Sequence, residues 1–155
     1  MSAPRVVFDC NVYFQALIGP TGPAGSCLDA GGEGTVSLYI SQYILNELRD
    51  VCLRPKIAHK FGITVQRLDY FCDGVRRCAT FLPEPLEVFL LQRDPKDEHY
   101  INLAIAASAS LVVSRDRDLL ALADPWDPVG QAFQASYPTI EVVTPVELLA
   151  RLAAG

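Results

Sequence analysis

Residues 5–12 read RVVFDCNV, and the order of residue types in that stretch decides the fold. Val6, Val7 and Phe8 form a continuous apolar run, the pattern of a strand buried on both faces. Asp9 follows without a break, then Cys10 and Asn11. A carboxylate at the tip of a buried strand costs free energy unless something partners it.

Three more runs have strand composition: Thr35–Ile40, Ser110–Val113 and Ile140–Val143. Between them, apolar residues recur at helical spacing. Residues 42–53 place Ile44, Leu48, Val51 and Cys52 on one face, and residues 65–82 do the same with Leu68, Phe71, Cys72, Val75, Ala79 and Leu82. Residues 95–109 form an Ala-rich helical pattern, apolar around most of its circumference, and a final helix is expected over Pro145–Ala153. Strands alternating with helices predict an α/β fold, a three-layer sandwich around a central parallel sheet of four to five strands. GPTGPAG (19–25) reads as a loop by composition. The Pro-punctuated stretch 123–138, with the only Trp, reads as a surface excursion, either a lid or partner contact or a packed loop.

The length of 155 residues suits one domain over 1–155. No apolar run approaches ~18 residues, so no membrane span is expected. The N-terminus lacks the apolar core of a secretory signal, and a cytoplasmic protein is the simplest expectation. The five cysteines are odd in number and form no CxxC pair, which argues against structural zinc and a disulfide framework. With only His59 and His99 present, a histidine-based zinc site is not expected.

Net charge is −5, unusual for a nucleic-acid binder. The average hides a basic segment: residues 49–77 hold Arg49, Arg54, Lys56, Lys60, Arg67, Arg76 and Arg77 against Asp50, Asp69 and Asp73. That segment is either a flank for a polyanion or a pair of solvated helix faces.

In a parallel α/β sheet, ligands bind outside the carboxyl ends of the strands. The first strand ends in Asp9 and Asn11, and the second leads into a helix carrying Glu47. The third ends at Ser114 and continues to Asp116 and Asp118, while RDPKDE, which opens the Ala-rich helix, supplies Asp94, Asp97 and Glu98. Each acid has an ordinary explanation. Asp94 suits an N-cap with Pro95 at the first helical position. Asp97 and Glu98 suit a helix N-terminus, and Asp116 or Asp118 a turn. Glu47 lies on the border of its helix's apolar stripe, where it either snorkels, pairs with Arg or points into a cleft. Taken together, four segments bring acids to one sheet edge. Carboxylates ~4 Å apart repel by roughly 4 kcal/mol at an effective dielectric near 20, so such a cluster takes up protons or binds cations. An all-oxygen donor set suits Mg²⁺ or Mn²⁺, and a divalent ion held this way is a site for phosphoryl transfer.

The blocks VVFDCNVYFQALI, YISQYILNELRDVCLRPK, RDPKDEHYINLAIAASASLVVSRDRDLLAL and VVTPVELLARL resemble, in order, those of the PIN-domain superfamily. The nearest branch is the bacterial group of toxin components related to VapC toxins. The resemblance implies a parallel sheet flanked by helices and a ribonuclease dependent on Mg²⁺ or Mn²⁺. It makes Asp9, Glu47, Asp97 and Asp116 the catalytic, metal-holding acids. Asn11, Ser114, Asp118 and Asp94 become auxiliary, with the choice between Asp94 and Asp97 open. It also implies an RNA substrate, a small antitoxin partner and a homodimer, with Arg49, Arg54, Lys56 and Lys60 expected to hold RNA phosphates. Ser114 and Cys10 stand where the family often has Thr. Two alternatives remain: a catalytically inactive PIN-like module that binds RNA or protein, and a haloacid-dehalogenase-type phosphatase attacking with Asp9. The second is disfavoured by Asn11, where that class carries a second Asp.

Overall fold

A computed structural model describes residues 2–83, 85 and 87–155. Five strands form one sheet in which every pairing is parallel: β1 (Arg5–Phe8), β2 (Ser37–Ser41), β3 (Ala79–Leu82), β4 (Leu111–Val113) and β5 (Glu141–Val143). Their spatial order is β3-β2-β1-β4-β5. The chain builds outward from β1 to β3, then returns to lay β4 on the other side of β1. The β1–β4 junction is therefore the point where strand order reverses, and a crevice is expected at its carboxyl end.

The central strands earn their place by composition. Val6, Val7, Phe8, Val112 and Val113 have no exposed surface, as strands covered on both faces require. The helices covering them are α1 (Cys10–Ile18), α2 (Pro23–Gly32), α3 (Gln42–Cys52), α4 (Pro55–Phe61), α5 (Val65–Cys78), α6 (Glu98–Ala107), α7 (Arg117–Leu120), α8 (Pro128–Ser136) and α9 (Pro145–Ala154). Their starts carry local signals. Ser41 caps α3 through Ile44 N–H, Thr64 caps α5 through Arg67 N–H, and Thr144 with Glu147 forms a reciprocal capping box on α9. On α3, Ile44, Leu45, Leu48 and Cys52 face the core. Four of the five cysteines are buried, packed as small apolar side chains.

The four anticipated strands appear within a residue or two of their expected positions, but three other readings need correction. The helix expected over 65–82 stops at Cys78, and residues 79–82 form β3, with Ala79 beside Leu38 and Leu82 beside Ser41. Four residues fit either periodicity, and pairing with β2 overrides the local pattern. The loop expected over 19–25 ends early, because Pro23 opens α2 after Gly22. Gly25 sits so close to Pro20 that a Cβ would lie 2.0 Å from its carbonyl oxygen, so glycine here serves close approach inside a helix rather than a turn. The 123–138 stretch is largely helical. α8 buries Phe133, whose ring packs edge-on to Phe89 at 5.4 Å between centroids. Asp127 caps α8 and also holds Arg93 in a two-pronged ion pair at 2.7 and 2.9 Å. No helix among the described residues is long and apolar enough to cross a membrane.

Candidate functional site

β1 and β4 run in register, Phe8 beside Val113, and two further backbone bonds carry the ladder past the strand ends. Asp9 N–H donates to Val113 O, and Ser114 N–H to Val143 O, both at 2.9 Å. Asp9 and Ser114 thus stand level at the rim of the sheet, and both are buried. Ser114 Oγ donates to Asp9 Oδ2 at 2.6 Å, and Asn11 N–H donates to Oδ1 at 2.9 Å. The buried carboxylate is therefore partnered without a cation side chain, by donors from both strand ends. Burial nevertheless raises its pKa; the Ser114 and Asn11 bonds offset part of that, while the nearby charges of Glu47 and Asp116 add to it.

A cavity of about 690 Å³ opens at this rim, lined by Asp9, Glu47, Asp94, Asp97, Asp116 and Asp118 among others. Asp94, Asp97 and Asp116 each offer an oxygen within 4.8 Å of the other two. Asp116 is the N-cap of α7, and its Oδ2 accepts from Asp118 N–H and Leu119 N–H at 3.0 and 3.1 Å. That leaves its second oxygen uncommitted to the backbone. Ser114 Oγ also accepts Asp116 N–H at 2.9 Å, so one serine ties Asp9 to the turn carrying Asp116. Asp97 is pushed up to about 9, first by burial, then by the charge of Asp9 and its bond to Asp116.

Asp94 departs from the capping reading, though not from that of an auxiliary acid. It occupies the N-cap position of the 3-10 turn Pro95–Asp97, but its side chain makes no capping bond. Its carboxylate belongs to the cavity instead, and so does that of Asp97. Both acids enter the site.

Glu47 reaches the cavity from α3 and does not pair with arginine. Tyr100 Oη donates to its Oε1 at 2.6 Å and in turn accepts Cys10 N–H at 3.1 Å. The phenol is buried, and desolvation with the charges of Asp9 and Glu47 holds it well above its ordinary pKa, so it remains a donor. His99 Nε2 lies 2.8 Å from the same Glu47 oxygen. The contact is off the line a hydrogen bond needs, so both ring nitrogens lack a hydrogen-bond partner among the described residues. The ring itself is flanked by Tyr43 and Tyr100, at 4.1 and 3.9 Å between centroids.

Of the basic residues expected to hold RNA, none lines the acidic cavity. Arg49 pairs with Asp69, and Arg54, at the start of α4, with Asp50 of α3 at 3.4 Å. Lys56 and Lys60 are exposed on α4. The cations on the cavity wall are Lys96, Arg115 and Arg117, which the sequence reasoning missed along with Tyr100. A signal existed for Tyr100, because three residues after Asp97 on a helix is the same face.

The donor set fits a divalent ion. It is all carboxylate oxygen, with three of its acids gathered within one ion's reach, and burial together with the neighbouring charges raises the pKa of Asp9 and of Asp97.

A parallel sheet whose strand order reverses at an acid-lined crevice defines a class of α/β proteins, and comparison with known proteins narrows it. Residues 5–118 match the PIN domain family, and the chain belongs to that family. It is 32% identical over 120 residues to the uncharacterized protein MJ1680 of Methanocaldococcus jannaschii, covering 77% of this chain and 76% of that protein. The fold is similar to the crystal structure of PAE2754 from Pyrobaculum aerophilum, with a TM-score of 0.57 and 14% identity over 98% of this chain and 91% of that one. It is also similar to VapBC2 from Rickettsia felis, solved bound to a DNA fragment from their promoter. Here the TM-score is 0.55 and the identity 13%, over 90% of this chain and 98% of that one.

Proposed function

We propose that this PIN-domain protein is a ribonuclease dependent on Mg²⁺ or Mn²⁺ that hydrolyses RNA phosphodiester bonds, acting as the toxin of a toxin–antitoxin pair. The observation that carries the reading is the convergence of Asp94, Asp97 and Asp116 oxygens within 4.8 Å, in a cavity that Asp9 and Glu47 also line. Asp9, Glu47, Asp97 and Asp116 would hold the ion, with Asp94 a fifth acid. Once bound, the ion neutralises the cluster and supplies an activated water and a Lewis acid for the phosphate.

The chain's own residues do the rest. Ser114 and Asn11 fix both oxygens of Asp9, and the Asp116 cap fixes one oxygen of that acid, so neither carboxylate must be ordered when substrate arrives. Tyr100 holds Glu47 in the same way. Lys96, Arg115 and Arg117 attract phosphates to a rim that otherwise repels them.

The likeness to VapBC2 supports a small antitoxin as partner, and the VapC-like reading also carries a homodimer and a cytoplasmic setting. The test is Mn²⁺-dependent cleavage of RNA by the purified protein and by Asp9→Asn and Asp116→Asn. Asn keeps the capping capacity at 116, so the folds should survive while cleavage is lost. Full activity in either variant would sink the reading.

A further inference from the structure

A second cavity of about 630 Å³ lies beside the acidic one, and Arg115 belongs to the walls of both. The two follow one another along the same edge of the sheet. Arg115 comes directly after Ser114 at the end of β4, and Thr144, on the far wall of the second cavity, comes directly after β5. The C-terminal part of α1 and the turn leading to α2 close the remaining side, through Gln15 and Thr21.

The two cavities differ in chemistry. The first is walled by six carboxylates. The second has none among its lining residues, and much of its wall is aliphatic, from Ala24, Leu120, Pro145 and Val146. Its polar groups are few. The Thr144 hydroxyl is already spent on the α9 cap, accepting from Glu147 N–H at 3.1 Å. Gln15 provides the one carboxamide, a group with both donor and acceptor capacity. Between the cavities stands Arg115, exposed and paired with no carboxylate among the described residues.

Resting on the ribonuclease reading above, we infer that the second cavity is the subsite for the nucleoside adjoining the cleaved bond, with Arg115 holding the phosphate between them. RNA alternates anionic phosphates with flat, largely apolar bases. A base has no place among carboxylates and bound cations, and the neighbouring aliphatic pocket is of a size that takes small ligands. A guanidinium between the two pockets meets the linking phosphate. Gln15 and the hydroxyl of Thr21 are able to bond a base edge and so to set preference at that position. A base can enter such a pocket only when it is unstacked and unpaired, so the substrate is single-stranded RNA.

The experiment measures anisotropy of labelled single-stranded hexa-adenylate and hexa-uridylate on the Asp9→Asn protein, with and without blocking substitutions. Thr21→Trp and Val146→Trp fill the pocket from two different elements at exposed positions. Each should weaken binding on the order of tenfold, while the Mn²⁺ affinity of the blocked proteins that keep Asp9, read by calorimetry, stays that of the native protein. In the otherwise native protein the same two substitutions should raise KM and spare kcat. An RNA with an abasic nucleotide beside the cleaved bond should lose a similar factor on the unblocked protein and little more on Thr21→Trp. Duplex RNA of the same sequence should bind more weakly. The inference is overturned if blocked and unblocked proteins bind and cleave alike while the native protein remains an active nuclease. If the native protein binds Mn²⁺ but cleaves no RNA, the ribonuclease reading falls, and the subsite falls with it unless the blocking substitutions still release single-stranded RNA.

Discussion

The acidic cavity at the ends of β1 and β4 and the basic flank of α3–α5 carry opposite charge and handle it differently. In the flank, three of the basic side chains have local partners: Arg49 pairs with Asp69, Arg54 with Asp50, and Arg67 donates to the carbonyls of Leu17 and Phe61, while Lys56, Lys60, Arg76 and Arg77 are exposed to solvent. Such exposed pairs contribute on the order of 0–1 kcal/mol each. In the cavity, carboxylates face carboxylates, and the nearby cations Lys96, Arg115 and Arg117 make no ion pair with them among the described residues. A basic run in sequence says little, because local partners can absorb it. A cluster of like charges gathered from distant segments carries a cost that only protons or cations relieve.

The largest break in this contrast is expected from Asp97→Asn. It removes a carboxylate from the centre of the cluster, and Mn²⁺-dependent cleavage should fall by roughly 100-fold or more. The metal-free protein should meanwhile become more heat-stable at pH 8, since Asn replaces a carboxyl that the fold must protonate at that pH. A cleavage assay paired with thermal melts reads both effects; an active or destabilised variant would count against the site.

Tyr100→Phe comes next. It deletes one hydroxyl that holds Glu47 and accepts Cys10 N–H. Loss of such a support typically costs about 10–100-fold in metal affinity, which calorimetric Mn²⁺ titration measures directly.

The pH dependence follows from Asp9 and Asp97, whose carboxyls are both raised in the fold. Between the usual carboxylate value near ~4 and the value of about 9 for Asp97, the folded metal-free protein holds more protons than the unfolded chain. Its stability therefore falls as pH rises through that window. Mn²⁺ replaces those protons, so the rise in Tm on adding Mn²⁺ should be larger at pH 8 than at pH 5, with protons released on binding. Equal shifts at both pH values would show that the acids do not share one ion.

The smallest effect sharpens the comparison from the basic side. Arg115→Gln should raise KM several-fold and lower the salt dependence of RNA binding by about one phosphate contact. Arg49→Gln, already paired with Asp69, should leave both nearly unchanged. The reverse result would move the RNA path from the β4 edge to the α3–α5 flank.

Much of the site was readable before the fold was known. Asp9, Glu47, Asp97 and Asp116 stood at strand ends or on a helix border, and the strand-end rule for parallel sheets sends such positions to one crevice. Asp94 was read as a cap because its neighbours, Pro95 and Asp97, fit one. Only the packed turn shows its carboxylate left uncapped and turned to the cluster. Arg49, Arg54, Lys56 and Lys60 were expected to hold RNA phosphates because Lys and Arg are dense in their segment; none of the four lines the acidic cavity, since density along the chain does not report nearness to it.

The sequence by itself determined the class of fold, the buried character of β1 and β4, the starts of α3, α5 and α9 and the identity of the acids at the rim. These depend on residues within about one helical turn or one strand of each other, where periodicity and capping act. Tertiary structure alone decided that residues 79–82 pair as an edge strand, that Tyr100 holds Glu47 across 53 positions and that Ser114 holds Asp9 across 105. Each of these rests on a partner far away in the chain, supplied only when the sheet brings the two segments side by side.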